Sequence, residues 1–189
     1  MRRPPRGTAR NLSLAGAGAL LFVVGYFAGS RYMAEPLQGL SIVLLPEPQP
    51  LVPPAGMTPV THWQLLLVGD INISACRKQL AWLVQTRNRV AQRPELASRL
   101  TLLLVVPELS VRPSSSEPPG WRTLAVSRPA AASLADQIGA TDKQLDCRDS
   151  FPGLLDPQGR LRALLPTDVP ASSAAADLER VLDHFHDQD

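Results

Sequence analysis

Trp63-Gln64-Leu65-Leu66-Leu67-Val68-Gly69-Asp70-Ile71-Asn72-Ile73-Ser74-Ala75-Cys76 is the stretch that decides how this chain folds. Trp63–Val68 is an almost unbroken apolar run, the pattern of a strand covered on both faces. Gly69, Asp70 and Asn72 are turn formers, and the apolar period changes after them. Residues 74–92 then read as a helix, with Leu80, Leu83, Val84 and Val90 on one face and Arg77, Lys78, Arg87 and Arg89 mostly elsewhere. Cys76 falls in the opening turn of that helix, where a thiolate is stabilised. Thiol and copper chemistry at such a place needs a second sulfur, and none is near in sequence.

Working outward, Pro94 breaks the helix, and Leu96 and Leu100 lead into Leu102–Val106, a second buried strand ended by Pro107. Residues 114–120, Ser-Ser-Ser-Glu-Pro-Pro-Gly, form a loop with no His or Asp spacing that would make Ser114–Ser116 nucleophilic. Trp121–Val126 reads as a shorter strand and Ala130–Ala140 as a short helix using Leu134 and Ile138. Phe151–Leu155 and Leu161–Leu165 flank Asp156-Pro157-Gln158-Gly159, a type I turn signature that closes a hairpin. Residues 171–186 form a last amphipathic helix on Ala175, Leu178, Val181, Leu182 and Phe185.

The order is strand, helix, strand, a strand-and-helix excursion, hairpin, helix. That is the thioredoxin-like arrangement, an α/β domain with a mixed central sheet flanked by helices. Roughly 130 residues bury an adequate core without metal or several disulfides.

The N-terminus has a different character. Arg2, Arg3, Arg6 and Arg10 precede a charge-free run from Asn11 to Ser30, closed by Arg31. Leu12–Ala28 is long enough for the lower limit of a membrane span, and the arginine bias places the N-terminus in the cytoplasm. The expected organisation is a basic cytoplasmic N-terminus over 1–11 and a transmembrane helix over 12–32. A proline-rich linker over 33–59 and a periplasmic domain over 60–189 follow. A cleaved signal ending near Ala28-Gly29-Ser30 and a buried soluble helix are the alternatives; Gly16, Gly18, Gly25 and Gly29 count against the last. Gly25 and Gly29 also have the spacing at which two anchors pack. Pro46, Pro48, Pro50, Pro53, Pro54 and Pro59 favour an extended spacer over a helix or a central strand.

Net charge is +2 for the whole chain, but residues 1–31 hold five arginines and no acid. The remainder carries 14 basic against 17 acidic residues, with no basic stripe, so nucleic acid is not an expected partner.

Three stretches together resemble the Sco/SenC family of thioredoxin-like, membrane-anchored factors that help deliver copper to cytochrome c oxidase. They are residues 44–51 (Leu-Leu-Pro-Glu-Pro-Gln-Pro-Leu), Trp63–Gly69, and residues 146–161, from Asp146-Cys147 through Phe151-Pro152-Gly153 to the Asp156-Pro157-Gln158-Gly159 turn. The resemblance implies a single-pass protein of the bacterial inner membrane with a periplasmic domain. It also implies work on respiratory-complex assembly beside oxidase subunits or other assembly factors. The family holds copper with a Cys-x-x-x-Cys pair and one histidine. Here Asn72 stands where the first cysteine is expected, Cys76 near the second, and Cys147 and Arg148 near the histidine. His62, His184 and His186 all lie outside that loop.

The resemblance brings the start of the first helix and the loop before the hairpin together, so Cys76 and Cys147 become candidate neighbours. A reactive or linear copper-binding pair, a structural disulfide, and two unpaired buried thiols all remain open. Pro152 is a candidate cis proline of the kind thioredoxin relatives carry. Asp183, His184, His186 and Asp187 look like a metal cluster, but alternate helical residues face different sides. The expectation is therefore a non-catalytic accessory protein with no bound cofactor, copper being the exception to test. A thiol–disulfide redox protein or copper carrier using Cys76 and Cys147 is the alternative.

Overall fold

In the computed structural model the described residues are 37, 39–57, 61–108, 120–140 and 145–186. The expected transmembrane helix at 12–32 lies outside them, as does the Ser114–Ser116 loop. Among the described residues no helix is long and apolar enough to cross a membrane. Chain contacts divide the molecule at Gly39, and the unit from Leu40 to Asp189 is the α/β domain.

Its six strands are β1 (Val43–Pro50), β2 (Trp63–Val68), β3 (Leu100–Pro107), β4 (Trp121–Val126), β5 (Gly153–Leu155) and β6 (Arg160–Leu164). They form one sheet in the order β1-β6-β5-β2-β3-β4. β2, β3 and β4 are parallel, while β5 runs antiparallel to both β2 and β6. The helices are α1 (Ser74–Val90), α2 (Pro94–Ala97), α3 (Arg128–Gln137) and α4 (Ala171–His186). The expected strands, crossover helix, hairpin and closing helix are all present, and the one-turn α2 is an addition.

The domain begins some twenty residues earlier than the linker reading placed it. β1 lies inside the proline-rich segment and pairs antiparallel with β6, from Val43 opposite Leu164 to Pro50 opposite Arg160, with a bulge between Leu44 and Gln49. Pro46 and Pro48 fall within that bulge, where no register with β6 is kept, and Pro50 is the last residue of the strand. An outermost strand needs donors on its paired side only. Proline density argues against a central strand, and β1 is not central. Beyond it, Leu51 and Met57 pack against the core, and the Val52 amide donates to Gln137 Oε1 at 2.6 Å.

The sheet is covered on both faces. Leu66, Val68, Leu103, Val105, Leu155 and Leu161 form one buried cluster with Ala131, Leu134 and Ala135 of α3. Leu65, Leu67, Leu102 and Leu104, also buried, alternate to the opposite face, where α1 and α4 pack together. The buried face of α1 is Cys76, Gln79, Leu83, Thr86 and Val90, rotated from the expected one. At the hairpin the buried Asp156 accepts the Gln158 and Arg160 amides (3.0 and 2.9 Å) and the Nε groups of Arg160 and Arg162, both at 2.9 Å. Ser41, just ahead of β1, is fixed by its amide and hydroxyl to Asp177 Oδ2 on α4.

Candidate functional site

The site grows from the end of β2. Gly69 extends the parallel ladder, its amide donating to Val105 O at 3.0 Å, and the next amide, Asp70, turns to Leu145 O at 2.9 Å. Asp70 then organises the turn: its carboxylate accepts the Asn72 amide and its carbonyl the Ile73 amide, each at 2.9 Å. α1 starts at Ser74 without a side-chain cap and without an acid in its first turn. Arg77 reaches back to Asn72 O at 2.6 Å. Asp70 therefore shapes the turn, as its residue type predicts.

Cys76, on the first turn of α1, is bonded to Cys147 across 71 positions, with Cα atoms 5.0 Å apart. Of the three possibilities the sequence left open, the bond excludes two unpaired thiols. Both residues are deeply covered, Cys76 with 0% and Cys147 with 3% of its surface exposed. Cys76 Sγ lies 3.3 Å from Leu145 O and Cys147 Sγ 3.8 Å from Val68 O. A disulfide sulfur carries no proton, so these are contacts only; each carbonyl becomes an acceptor if the sulfurs are reduced.

The loop bearing Cys147 is held in an uncommon shape. Leu145 and Cys147 have φ of 59° and 61°, the left-handed region that non-glycine residues seldom enter. Three contacts fix it: the Asp70 amide on Leu145 O, and Gln79 Nε2 donating to Cys147 O at 2.7 Å and Ser150 O at 2.8 Å. Gln79 is itself buried, and its Oε1 has no hydrogen-bond partner among the described residues. Asp146 accepts the Arg148 amide at 2.9 Å and pairs with the Arg148 guanidinium at 3.3 Å.

Gly69 completes the site by what it lacks. A Cβ there would stand 2.3 Å from Cys147 Sγ, 2.7 Å from Cys76 Sγ and 3.2 Å from Leu145 O. The sulfur bridge lies directly against the glycine backbone.

Pro152, the candidate cis proline, is trans, since none of the described peptide bonds is cis. Trans is the favoured isomer of an X–Pro bond by about 0.5–1 kcal/mol. His62 precedes β2, at the end of the strand away from Gly69. Asp183 is engaged with Arg93, and His184 stacks edge-on to Phe185. Among the described residues no group of three His, Cys, Asp or Glu converges on a metal position. Gln79 and Gly69 were missed: glutamine on a helix reads as surface, and a glycine after a strand reads as turn chemistry. The signal for Gln79 was its position three residues after Cys76, one helical turn along the same face.

Beside the bridge lies an open groove of about 410 Å³, lined by Ala75, Lys78, Gln79, Trp82, Cys147, Arg148 and Thr167. Trp82 forms one wall and is anchored by its Nε1, which donates to Val169 O at 2.8 Å. Exposed Phe151 follows the same loop.

No family model and no curated protein matches the chain. Solved structures do. The copper-bound ScoI of Arabidopsis thaliana is 12% identical over 72% of this chain and 98% of its own, with a TM-score of 0.50. The fold is that of the ScoI proteins. The copper-bound ScoI of Bradyrhizobium japonicum is 17% identical over 65% of this chain and 86% of its own, with a TM-score of 0.48. Within this Sco-like domain, the disulfide form does not fit copper. A soft cation asks for thiolate, thioether or imidazole donors, and here both sulfurs are spent on each other with no histidine in the 145–152 loop.

Proposed function

We propose that this chain is a Sco-like accessory protein of the bacterial inner membrane. The basic N-terminus and residues 12–32 anchor it, and the α/β domain stands in the periplasm. It serves cytochrome c oxidase or respiratory-complex assembly by contact with oxidase subunits, other assembly factors or copper-handling proteins, without turnover of its own. One observation carries the reading: Cys76 and Cys147 are joined and covered, so the end of the sheet is closed by a covalent staple. The ScoI-like fold, the arginine-led apolar N-terminus and the disulfide, a bond that persists in an oxidising envelope, support the placement.

The test is complementation. Deleting the chain lowers assembled cytochrome c oxidase in isolated membranes, and the full chain carrying both Cys76→Ser and Cys147→Ser restores it. Unchanged oxidase in the deletion overturns the reading. Failure of a folded double variant to restore it transfers the role to sulfur chemistry.

A second reading is favoured by one observation of its own. Cys147 is one of the residues that line the groove, so the bridge lies beside an open space. In that reading the protein is a thiol–disulfide redox partner, or a copper carrier once reduced.

A further inference from the structure

We propose that the Cys76–Cys147 bond exchanges through Cys147, with a small anionic thiol as the reacting partner and Cys76 as the leaving sulfur. The inference rests on the redox reading of this site and deepens it.

Position selects the sulfur. Both residues are covered, but Cys147, 3% exposed, is a lining residue of the groove, whereas Cys76, 0% exposed, is not and has Leu145 O against it. A thiolate held in the groove therefore meets the bond from its Cys147 side.

Groove chemistry selects the partner. Among the described residues, Lys78 and Arg148 are the charged groups that line it; Arg148 shares its charge with Asp146, and Lys78 is exposed. The volume of about 410 Å³ falls within the range of small-ligand sites. Cationic walls concentrate an anionic thiol and favour its deprotonated form.

The steps balance. The incoming thiolate forms a bond to Cys147 Sγ as the Sγ–Sγ bond breaks, and the electron pair leaves on Cys76 Sγ. A second thiolate then attacks the sulfur of the first and frees Cys147. Two thiols are oxidised to one small disulfide, and one protein disulfide becomes two thiols.

The test uses the oxidised full chain in detergent with reduced glutathione, and with cysteamine as the cationic control at equal thiolate concentration. Glutathione opens the bond several-fold faster, and Lys78→Glu removes the difference. Oxidised glutathione is also offered to Cys76→Ser and Cys147→Ser, and adducts are located by peptide mass. Cys147 in the first variant takes the glutathionyl group, while Cys76 in the second stays protected. Equal or faster labelling of Cys76 overturns this inference and leaves the redox reading standing. Equal rates with the two thiols overturn the anionic partner, a measurement that needs neither serine variant to fold. A bond that stays closed to both thiols in the folded protein overturns the inference and the redox reading together.

Discussion

Gly69 and Cys147 are in contact so close that no side chain fits between them: a Cβ on Gly69 would lie 2.3 Å from Cys147 Sγ. The neighbours cannot yield easily, because Cys76 Sγ and Leu145 O crowd the same point and the Asp70 amide pins Leu145. Gly69→Ala is therefore expected to cost about 1–3 kcal/mol from overpacking alone. Thiol titration of the native variant should also find reactive sulfur that the parent lacks. A variant with parental urea midpoint and no free thiol would refute the fit.

The staple itself should matter to stability. Closing a loop of 71 positions contributes roughly 4 kcal/mol on the chain-entropy estimate. Urea unfolding of the oxidised chain, the reduced chain and the Cys76→Ser, Cys147→Ser double variant measures it. Both thiol forms should fall by a similar amount. A reduced chain as stable as the oxidised one would show that the bond constrains nothing.

Gln79 is the residue on which the Cys147 loop hangs. Gln79→Leu strands Cys147 O and Ser150 O but also removes the unpartnered Oε1, so the expected cost is about 1–3 kcal/mol. Gln79→Glu should be worse at neutral pH, since a buried carboxylate would face two carbonyl oxygens with no proton to offer. Its stability should recover as acid protonates it. Chemical denaturation at pH 5 and pH 8 separates the two variants, and an indifferent Gln79→Glu would remove the clamp from the account.

An exposed ionic cluster gives a pH-dependent expectation. The Glu95 carboxyl is held below its ordinary range by its own backbone amide and then by Arg93, whose guanidinium also binds Asp183 at 2.8 Å. A lowered folded-state pKa stabilises above the unfolded carboxylate range, and the contribution is lost as pH falls through the lowered value. Solvent and salt keep it small. In an NMR titration, Arg93→Ala should move the Glu95 midpoint upward, and the shift should shrink at high salt.

Most of the fold was legible because its signals are local and repeated. Trp63–Val68 and Leu102–Val106 are apolar runs too short for helices, and the Asp156–Gly159 turn announces the hairpin. β1 was hidden because prolines argue against pairing in general, whereas an outer strand needs only one row of donors. The site was half legible. The fold resemblance brought Cys76 and Cys147 together, but whether they bond depends on Gly69 making room and Gln79 holding the loop. Those are tertiary distances that no periodicity encodes. Pro152 shows the converse: a motif position made it a candidate for a cis bond, and its bond is trans.

The prolines of β1 have a consequence for the sheet's outer edge. An outermost strand is an invitation to any extended chain, and prolines along it are one means by which such an edge is blunted. They do so without spending charge or adding a covering helix. Replacing Pro46 and Pro48 with threonine would restore the missing donors and expose the protein to stacking upon itself.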